Sequence, residues 1–151
     1  MAKLTLSLGS NLGDRQQLLA DARAALAAAL GPLTYVSDVH ETAAWGYTAQ
    51  PAFLNQVVQL ITPATTQGPT IAAELHRLLD HCQRIESELG RVRSQHWGPR
   101  TIDIDLIFVD DLIYEDERIS LPHPWWRQRP FVRELLPTES PDPHVDVLNH
   151  R

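Results

Sequence analysis

Two carboxylates and a group of arginines are the side chains of this sequence best suited to chemistry. Asp103 and Asp105 stand two apart in Thr101-Ile102-Asp103-Ile104-Asp105-Leu106. In an extended chain such residues project from the same side, with Cα atoms roughly 6.6 Å apart at about 3.3 Å per residue, so both carboxylates can converge on one cation. Hard oxygen donors that leave room for water and phosphate suit magnesium, and a carboxylate pair can bridge two ions about 3.5–4 Å apart. An exposed strand face bearing acids would show the same alternation and need no ligand. The preceding segment, Gly90-Arg91-Val92-Arg93-Ser94-Gln95-His96-Trp97-Gly98-Pro99-Arg100, favours the ligand. Arginines beside a magnesium-binding pair make sense when a polyphosphate lies between them, neutralised by metal on one side and guanidinium on the other. A nucleoside triphosphate is the natural occupant. The glycines and the proline of this segment predict a loop that carries Trp97 and the arginines over the site.

The elements that must position these groups can be read from periodicity. Thr101–Val109 alternates as a strand, with Ile102, Ile104, Leu106 and Phe108 expected on one face and the two aspartates on the other. Lys3–Gly9 alternates Leu4, Leu6 and Leu8 against polar residues and predicts a first strand. After the turn Gly9–Gly13, Asp14 opens an alanine- and leucine-rich helix that runs to Leu30 and stops at Gly31-Pro32. Leu33–Thr42 and Phe53–Thr62 predict two strands joined by a long loop. Ile71, Leu75, Leu78, Cys82, Ile85 and Leu89 recur at steps of four and three and predict a second helix. The order strand, helix, strand, strand, helix, strand is that of a ferredoxin-like α+β sandwich, with two helices on one face of an antiparallel sheet and the other face available. Leu112–Tyr114 and Arg118–Leu121 can add a C-terminal hairpin, with a short helix expected beside it, and no linker or repeat divides residues 1–151, so one domain is expected.

Composition limits the alternatives. The 151 residues are 43% hydrophobic and 21% charged, which is globular usage, and no apolar run approaches the roughly 20 residues of a membrane span. The start lacks a signal-peptide apolar region, so a cytoplasmic protein with no membrane association is expected. A single cysteine, Cys82, permits no internal disulfide and no cysteine-based metal cluster. The net charge of −6 argues against binding a nucleic-acid backbone. An RNA-binding module shares this element order, but it reads bases with aromatics on the two central strands, and the first strand here has none. Of the 13 basic residues 12 are arginine, and eight of these fall between positions 84 and 133. Arginine's planar fork matches phosphate oxygens in pairs, so this half of the chain suits a phosphate clamp.

Five stretches together resemble a known family: Gly9-Ser10-Asn11, Gln50-Pro51-Ala52-Phe53-Leu54-Asn55, Gly90-Arg91-Val92-Arg93, the block Trp97–Asp105, and Leu121-Pro122-His123-Pro124. Their order and spacing are similar to those of 6-hydroxymethyl-7,8-dihydropterin pyrophosphokinases, from about Leu6 to Phe131. The resemblance implies transfer of pyrophosphate from ATP to the hydroxymethyl group of the reduced pterin, with release of AMP, in folate biosynthesis. It implies that Asp103 and Asp105 hold two magnesium ions and that Arg91 and Arg100 are catalytic-loop arginines orienting the triphosphate. Phe53 and Phe131 match the aromatic pair that sandwiches the pterin. Asn55 would offer a donor and an acceptor to its edge, Thr42 and Ala44 would line the pocket, and Trp97 would close over it. Gln83, Glu86, Arg93, Arg100, Leu106, Arg118, Ser120, His123 and Arg129 match ATP-contacting positions; without the family, Gln83 and Glu86 read as solvated helix residues. Gly9 and Asn11 would shape the floor near the pterin. The expected partners are these two small substrates, bound by a monomer. The sequence departs from the family where only Ser94-Gln95-His96 separates Arg93 from Trp97, at Ala43-Ala44 in place of a proline-rich turn, and in the tail after Phe131.

Overall fold

The computed structural model describes residues 1–43, 51–90 and 101–138. Strand β1 (Ala2–Ser10) leads to helix α1 (Arg15–Ala29), then come strands β2 (Leu33–Val36), β3 (His40–Thr42) and β4 (Phe53–Thr62), helix α2 (Ile71–Glu88) and strand β5 (Asp103–Val109). Strands β2, β4, β1 and β5 lie side by side in that order, β3 also pairs with β4, and every pairing is antiparallel. This is the predicted ferredoxin-like order. A two-stranded hairpin, β6 (Tyr114–Glu115) and β7 (Ser120–Leu121), follows, and then a 3-10 turn at Trp126–Gln128 and helix α3 (Pro130–Leu135).

Local chemistry accounts for the element ends. The Asp14 side chain accepts the Gln17 amide hydrogen at 3.1 Å and caps α1. Gly31, at φ +153°, closes the turn out of α1 where no other residue fits, because a Cβ there would stand 2.1 Å from the Ile61 carbonyl oxygen. Leu4, Leu6 and Leu8 of β1 meet Leu19, Ala22 and Leu26 of α1 and Leu75, Leu78, Cys82 and Ile85 of α2 in the main core. The period-two and period-3.6 patterns therefore face each other, as one buried sheet face requires.

Three expectations need correction. The predicted strand Leu33–Thr42 is broken into β2 and β3, because Ser37 uses its side chain on the ladder. Its Oγ accepts the Val57 amide hydrogen at 2.9 Å, and its own amide donates to the Val57 carbonyl at 2.9 Å. Phe108 does not share a face with Ile102, Ile104 and Leu106. The register between β1 and β5 slips at Ile107, where Thr5 pairs with Phe108 but Leu6 with Leu106. This bulge puts Phe108 on the same face as Ile107, away from the main core, and returns Val109 to the main core. The face expected to be open is also partly covered. Val57, Ile107 and Phe108 form a second core there with Trp126, Val132, Leu135 and Leu136. Phe108 and Trp126 meet edge to face at 5.1 Å, and the Tyr35 hydroxyl donates to the Leu135 carbonyl at 2.5 Å, fastening α3 to the sheet. What remains open is the end of this face beyond Val57 and Phe108, where the aspartates stand.

Candidate active site

Burial alternates along the start of β5, with Ile102, Ile104 and Leu106 buried and Asp103 and Asp105 partly exposed. The two carboxylates therefore emerge together on the face away from α1 and α2. The edge of β5 is held from below by Glu86 of α2. Glu86 is buried, and its Oε2 accepts the Ile104 amide hydrogen at 2.8 Å, between the two aspartates. The solvated-helix reading of Glu86 is thus corrected: it belongs to the support of the strand, whereas Gln83 is exposed. On the other side Asp105 pairs in register with Ser7 and Asp103 with Gly9 of β1.

A cavity of about 590 Å³ opens before these residues. From the expected site it collects Thr42, Phe53, Asn55, Asp103, Asp105, Arg129 and Phe131, together with Gly9 on the floor. Phe53 and Phe131 are both half-buried. Asn55 is buried, and its Nδ2 donates to the His40 carbonyl at 3.1 Å and to Thr42 Oγ1 at 2.7 Å. A carbonyl can only accept, so the nitrogen must be the atom that faces His40. Both amide hydrogens are thereby used within the protein, so of the donor and acceptor expected for a pterin edge only the acceptor oxygen is left. A Cβ at Gly9 would stand 3.5 Å from Asn55 Oδ1 and 3.5 Å from a Phe53 ring carbon, so a longer side chain would enter the space between them. Asn11 is fully buried, and its Nδ2 donates to the Pro51 carbonyl at 3.1 Å, tying the end of β1 to the segment before Phe53.

At the acidic end, Arg129 Nη1 donates to Asp105 Oδ2 at 2.7 Å. Arg129 precedes Pro130 and takes the extended backbone that this position favours, at φ −109° and ψ 91°, just before α3 begins. His123 Nε2 lies 4.0 Å from Asp105 Oδ1, while its Nδ1 accepts the Trp125 amide hydrogen at 3.2 Å. That bond places the ring proton of the neutral form on Nε2. Burial first, and then the Arg129 charge, push the His123 pKa down to about 4. The ring is neutral at physiological pH and offers an N–H donor toward Asp105.

The remaining expected residues are more scattered. The Leu106 side chain is in the main core. Arg118 is exposed, and its Nη2 donates to Asp80 of α2 at 2.7 Å; Ser120 lies in β7. Ala44, Arg91, Arg93, His96, Trp97 and Arg100 fall outside the described residues. Ser7, His40, Trp125, Gln128 and Glu134 also line the cavity and were not singled out by the sequence, and Ala43, noted there only as a departure from the family, lines it too. Ser7 was within reach of the period-two rule, lying two positions before Gly9 on the same face. His40 and Glu134 come together only through the fold, with Nδ1 of one 3.3 Å from Oε2 of the other between β3 and α3. Trp125, 59% exposed, gives no local sign of its place at the cavity.

The donor set fits magnesium. Among the described residues no three His, Cys, Asp or Glu side chains cluster around a common point. Two carboxylates are hard ligands that leave most of the coordination shell to water and phosphate oxygens, which is how magnesium is usually held beside a nucleotide. Cys82 is buried, with its thiol pKa pushed up to about 12 by burial, and is no competing ligand. No helix among the described residues is long and apolar enough to cross a membrane.

Residues 5–139 match the family described as 7,8-dihydro-6-hydroxymethylpterin-pyrophosphokinase. A 2-amino-4-hydroxy-6-hydroxymethyldihydropteridine pyrophosphokinase of Methylorubrum extorquens is 41% identical over 143 residues, covering 94% of this chain and 85% of that protein. The Bacillus subtilis protein of the same name is 40% identical over 128 residues, covering 84% of this chain and 71% of its own. The folic acid synthesis protein fol1 of Schizosaccharomyces pombe is 37% identical over 138 residues, which span 91% of this chain but only 18% of that protein. By the extent of the family match and the identity of these relatives, the chain belongs to the 7,8-dihydro-6-hydroxymethylpterin-pyrophosphokinase family.

Proposed function

We propose that the chain transfers the pyrophosphoryl group of ATP to the hydroxymethyl oxygen of 6-hydroxymethyl-7,8-dihydropterin, releasing AMP, as a step of folate biosynthesis, and that it works as a single-domain monomer in the cytoplasm. The observation that carries the reading is that an aromatic and amide end (Phe53, Asn55, Phe131) and an acidic end (Asp103, Asp105) line one cavity. A flat heterocycle and a charged tail need just such a pair of surroundings.

Phe53 and Phe131 hold the faces of the pterin, and Asn55 Oδ1 accepts from an N–H on its edge. Thr42 acts through Asn55 by fixing its amide, and Ala44 is assigned to the pterin by family resemblance alone. The ring can then rotate neither in its plane nor out of it, which aims the hydroxymethyl oxygen at the carboxylate end and removes orientational entropy from the barrier. Asp103 and Asp105 would hold the magnesium ions, two of them by family resemblance, which would supply charge neutralisation of the triphosphate and a more acidic pterin hydroxyl. Arg91 and Arg100 orient the triphosphate and stabilise charge that develops during transfer at the β-phosphorus, and Trp97 closes over the pterin. Arg93 and Arg129 contact phosphate oxygens. His123 contributes a neutral Nε2–H donor and no proton transfer. Gln83, Arg118 and Ser120 contact the nucleotide, and Leu106 does so through its backbone, since its side chain is in the core. Glu86 is a positioning residue for β5.

The test is AMP release from ATP, magnesium and 6-hydroxymethyl-7,8-dihydropterin, comparing the native chain with Asp105→Ala. The expected loss is on the order of a thousandfold in rate, or about 4 kcal/mol of transition-state stabilisation. An Asp105→Ala enzyme within tenfold of the native rate would overturn the assignment.

A further inference from the structure

Arg129 and Asp105 are each expected to meet a charged part of the substrate, yet in the structure they meet one another. Arg129 Nη1 is 2.7 Å from Asp105 Oδ2, and both side chains are about a quarter to a third exposed. The Arg129 backbone is held on both sides: its amide donates to the Trp126 carbonyl at 3.3 Å, and its carbonyl accepts the Val132 amide hydrogen at 3.0 Å. Only the side chain has freedom to exchange partners. A guanidinium stays charged at any pH the protein survives, so its own titration does not release it from Asp105. What can release it is a better anion within reach, and a triphosphate offers several oxygens to a planar donor fork.

We propose that Arg129 serves as a built-in cation that occupies Asp105 in the nucleotide-free enzyme and moves to the triphosphate when the nucleotide arrives, so that metal and nucleotide binding are positively coupled through one side chain. This rests on the proposed roles of Asp105 as a metal ligand and Arg129 as a phosphate contact. A divalent ion arriving alone meets a positive charge already seated on one of its two carboxylate ligands. An ion arriving with the nucleotide does not, because the same event draws the guanidinium away. The coupling is reciprocal: whatever factor the nucleotide adds to metal affinity, the metal must add to nucleotide affinity. A purely orienting role for Arg129 predicts the opposite sign, since its removal would then loosen metal binding.

The experiment measures Mn²⁺ bound to the protein by equilibrium dialysis, without nucleotide, for the native chain, Arg129→Met, Arg129→Lys and the double variant Arg129→Met/Asp105→Asn. Thermal melting of each variant checks folding. Arg129→Met removes the charge but keeps the bulk, and should bind Mn²⁺ on the order of tenfold more tightly than the native chain. Arg129→Lys keeps a cation and should stay near the native value. Titration with α,β-methylene-ATP, with and without Mn²⁺, should show a coupling factor reduced by about the same tenfold in Arg129→Met. The proposal is overturned if Arg129→Met binds Mn²⁺ alone no more tightly than the native chain. The double variant separates that failure from a deeper one. If Asp105→Asn abolishes Mn²⁺ binding in the Arg129→Met background, Asp105 is a ligand and only the coupling is at stake. If Mn²⁺ binding is indifferent to Asp105, the metal assignment itself falls, and this proposal with it.

Discussion

Removing the carboxylate of Glu86 tests whether the catalytic strand is held from beneath. In Glu86→Ala the buried Ile104 amide loses its 2.8 Å acceptor and the space filled by the side chain is vacated. An unpaired buried amide costs about 1–3 kcal/mol and each lost buried methylene about 0.8 kcal/mol. A total near 3 kcal/mol follows, and at roughly 2–4 °C per kcal/mol for a chain of this length, the melting temperature should fall by about 6–12 °C. Ile104 lies between Asp103 and Asp105, so a shift of the strand edge displaces both carboxylates. A misplacement of about 1 Å can cost a hundredfold, so kcat should fall by tens to a hundredfold, with the KM for ATP little changed. Glu86→Gln keeps an oxygen for the same amide hydrogen and should restore most of both properties. The assays are thermal melting and steady-state AMP release. The reasoning is refuted if Glu86→Ala melts and turns over like the native chain. It is also refuted if Glu86→Gln is as damaged as Glu86→Ala, or if the defect is confined to the KM for ATP, as a direct nucleotide contact would require.

Other consequences can be checked separately. Gly31→Ala places a Cβ 2.1 Å from the Ile61 carbonyl oxygen, so the backbone must move, and denaturant unfolding should show a loss of about 2 kcal/mol or more with catalysis per folded molecule intact. Asn55→Asp removes both hydrogens now given to His40 and Thr42 and sets a carboxylate against a carbonyl; calorimetry should show pterin affinity reduced by at least about tenfold, with partial recovery on acidification as the carboxyl protonates. Asp116 accepts from the Tyr114 hydroxyl at 2.6 Å, from His76 at 2.7 Å and from the Arg118 and Ile119 amides at 2.8 and 3.0 Å. The Tyr114 hydrogen bond, with help from the others, holds its carboxyl below the usual range. The unfolded chain therefore binds the extra proton on acidification, and the stabilisation is full above about pH 4 and lost as pH falls further. Denaturant unfolding followed from pH 5 to pH 2 should show a flatter decline for Asp116→Asn than for the native chain.

Alternation made much of this molecule legible. Leu4, Leu6 and Leu8 in β1, the four- and three-residue steps of α2, and the Asp103/Asp105 pair all obey periods that backbone geometry imposes, and the sheet order followed from their succession. The features that escaped lie where local pattern carries no information. Ile107-Phe108-Val109 is an unbroken apolar run, so nothing in it marks the bulge that sends Phe108 to the second core. Ser37 looks like any polar strand residue until its hydroxyl is seen on the β4 backbone. Glu86 has the composition of a solvent-facing helix residue, and only the adjacent edge of β5 explains its burial. The Arg129–Asp105 and His40–Glu134 pairs join residues 24 and 94 positions apart, and tertiary structure alone brings them together. The aromatic and amide residues of the cavity were recognised through family resemblance, because Phe53 alone could be core, whereas Asn55 already stood out as an amide that a plain core would leave without partners.

The central claim is that Asp103 and Asp105 act as one unit in pyrophosphoryl transfer. It is tested most directly by single-turnover transfer rates at saturating ATP, magnesium and pterin for Asp103→Asn, Asp105→Asn and the double variant. Groups that share the same ions fail together, so each single change should cost on the order of a thousandfold and the double change should lie within about tenfold of either one. Single variants that retain near-native rates, or losses that multiply in the double variant, would contradict the account.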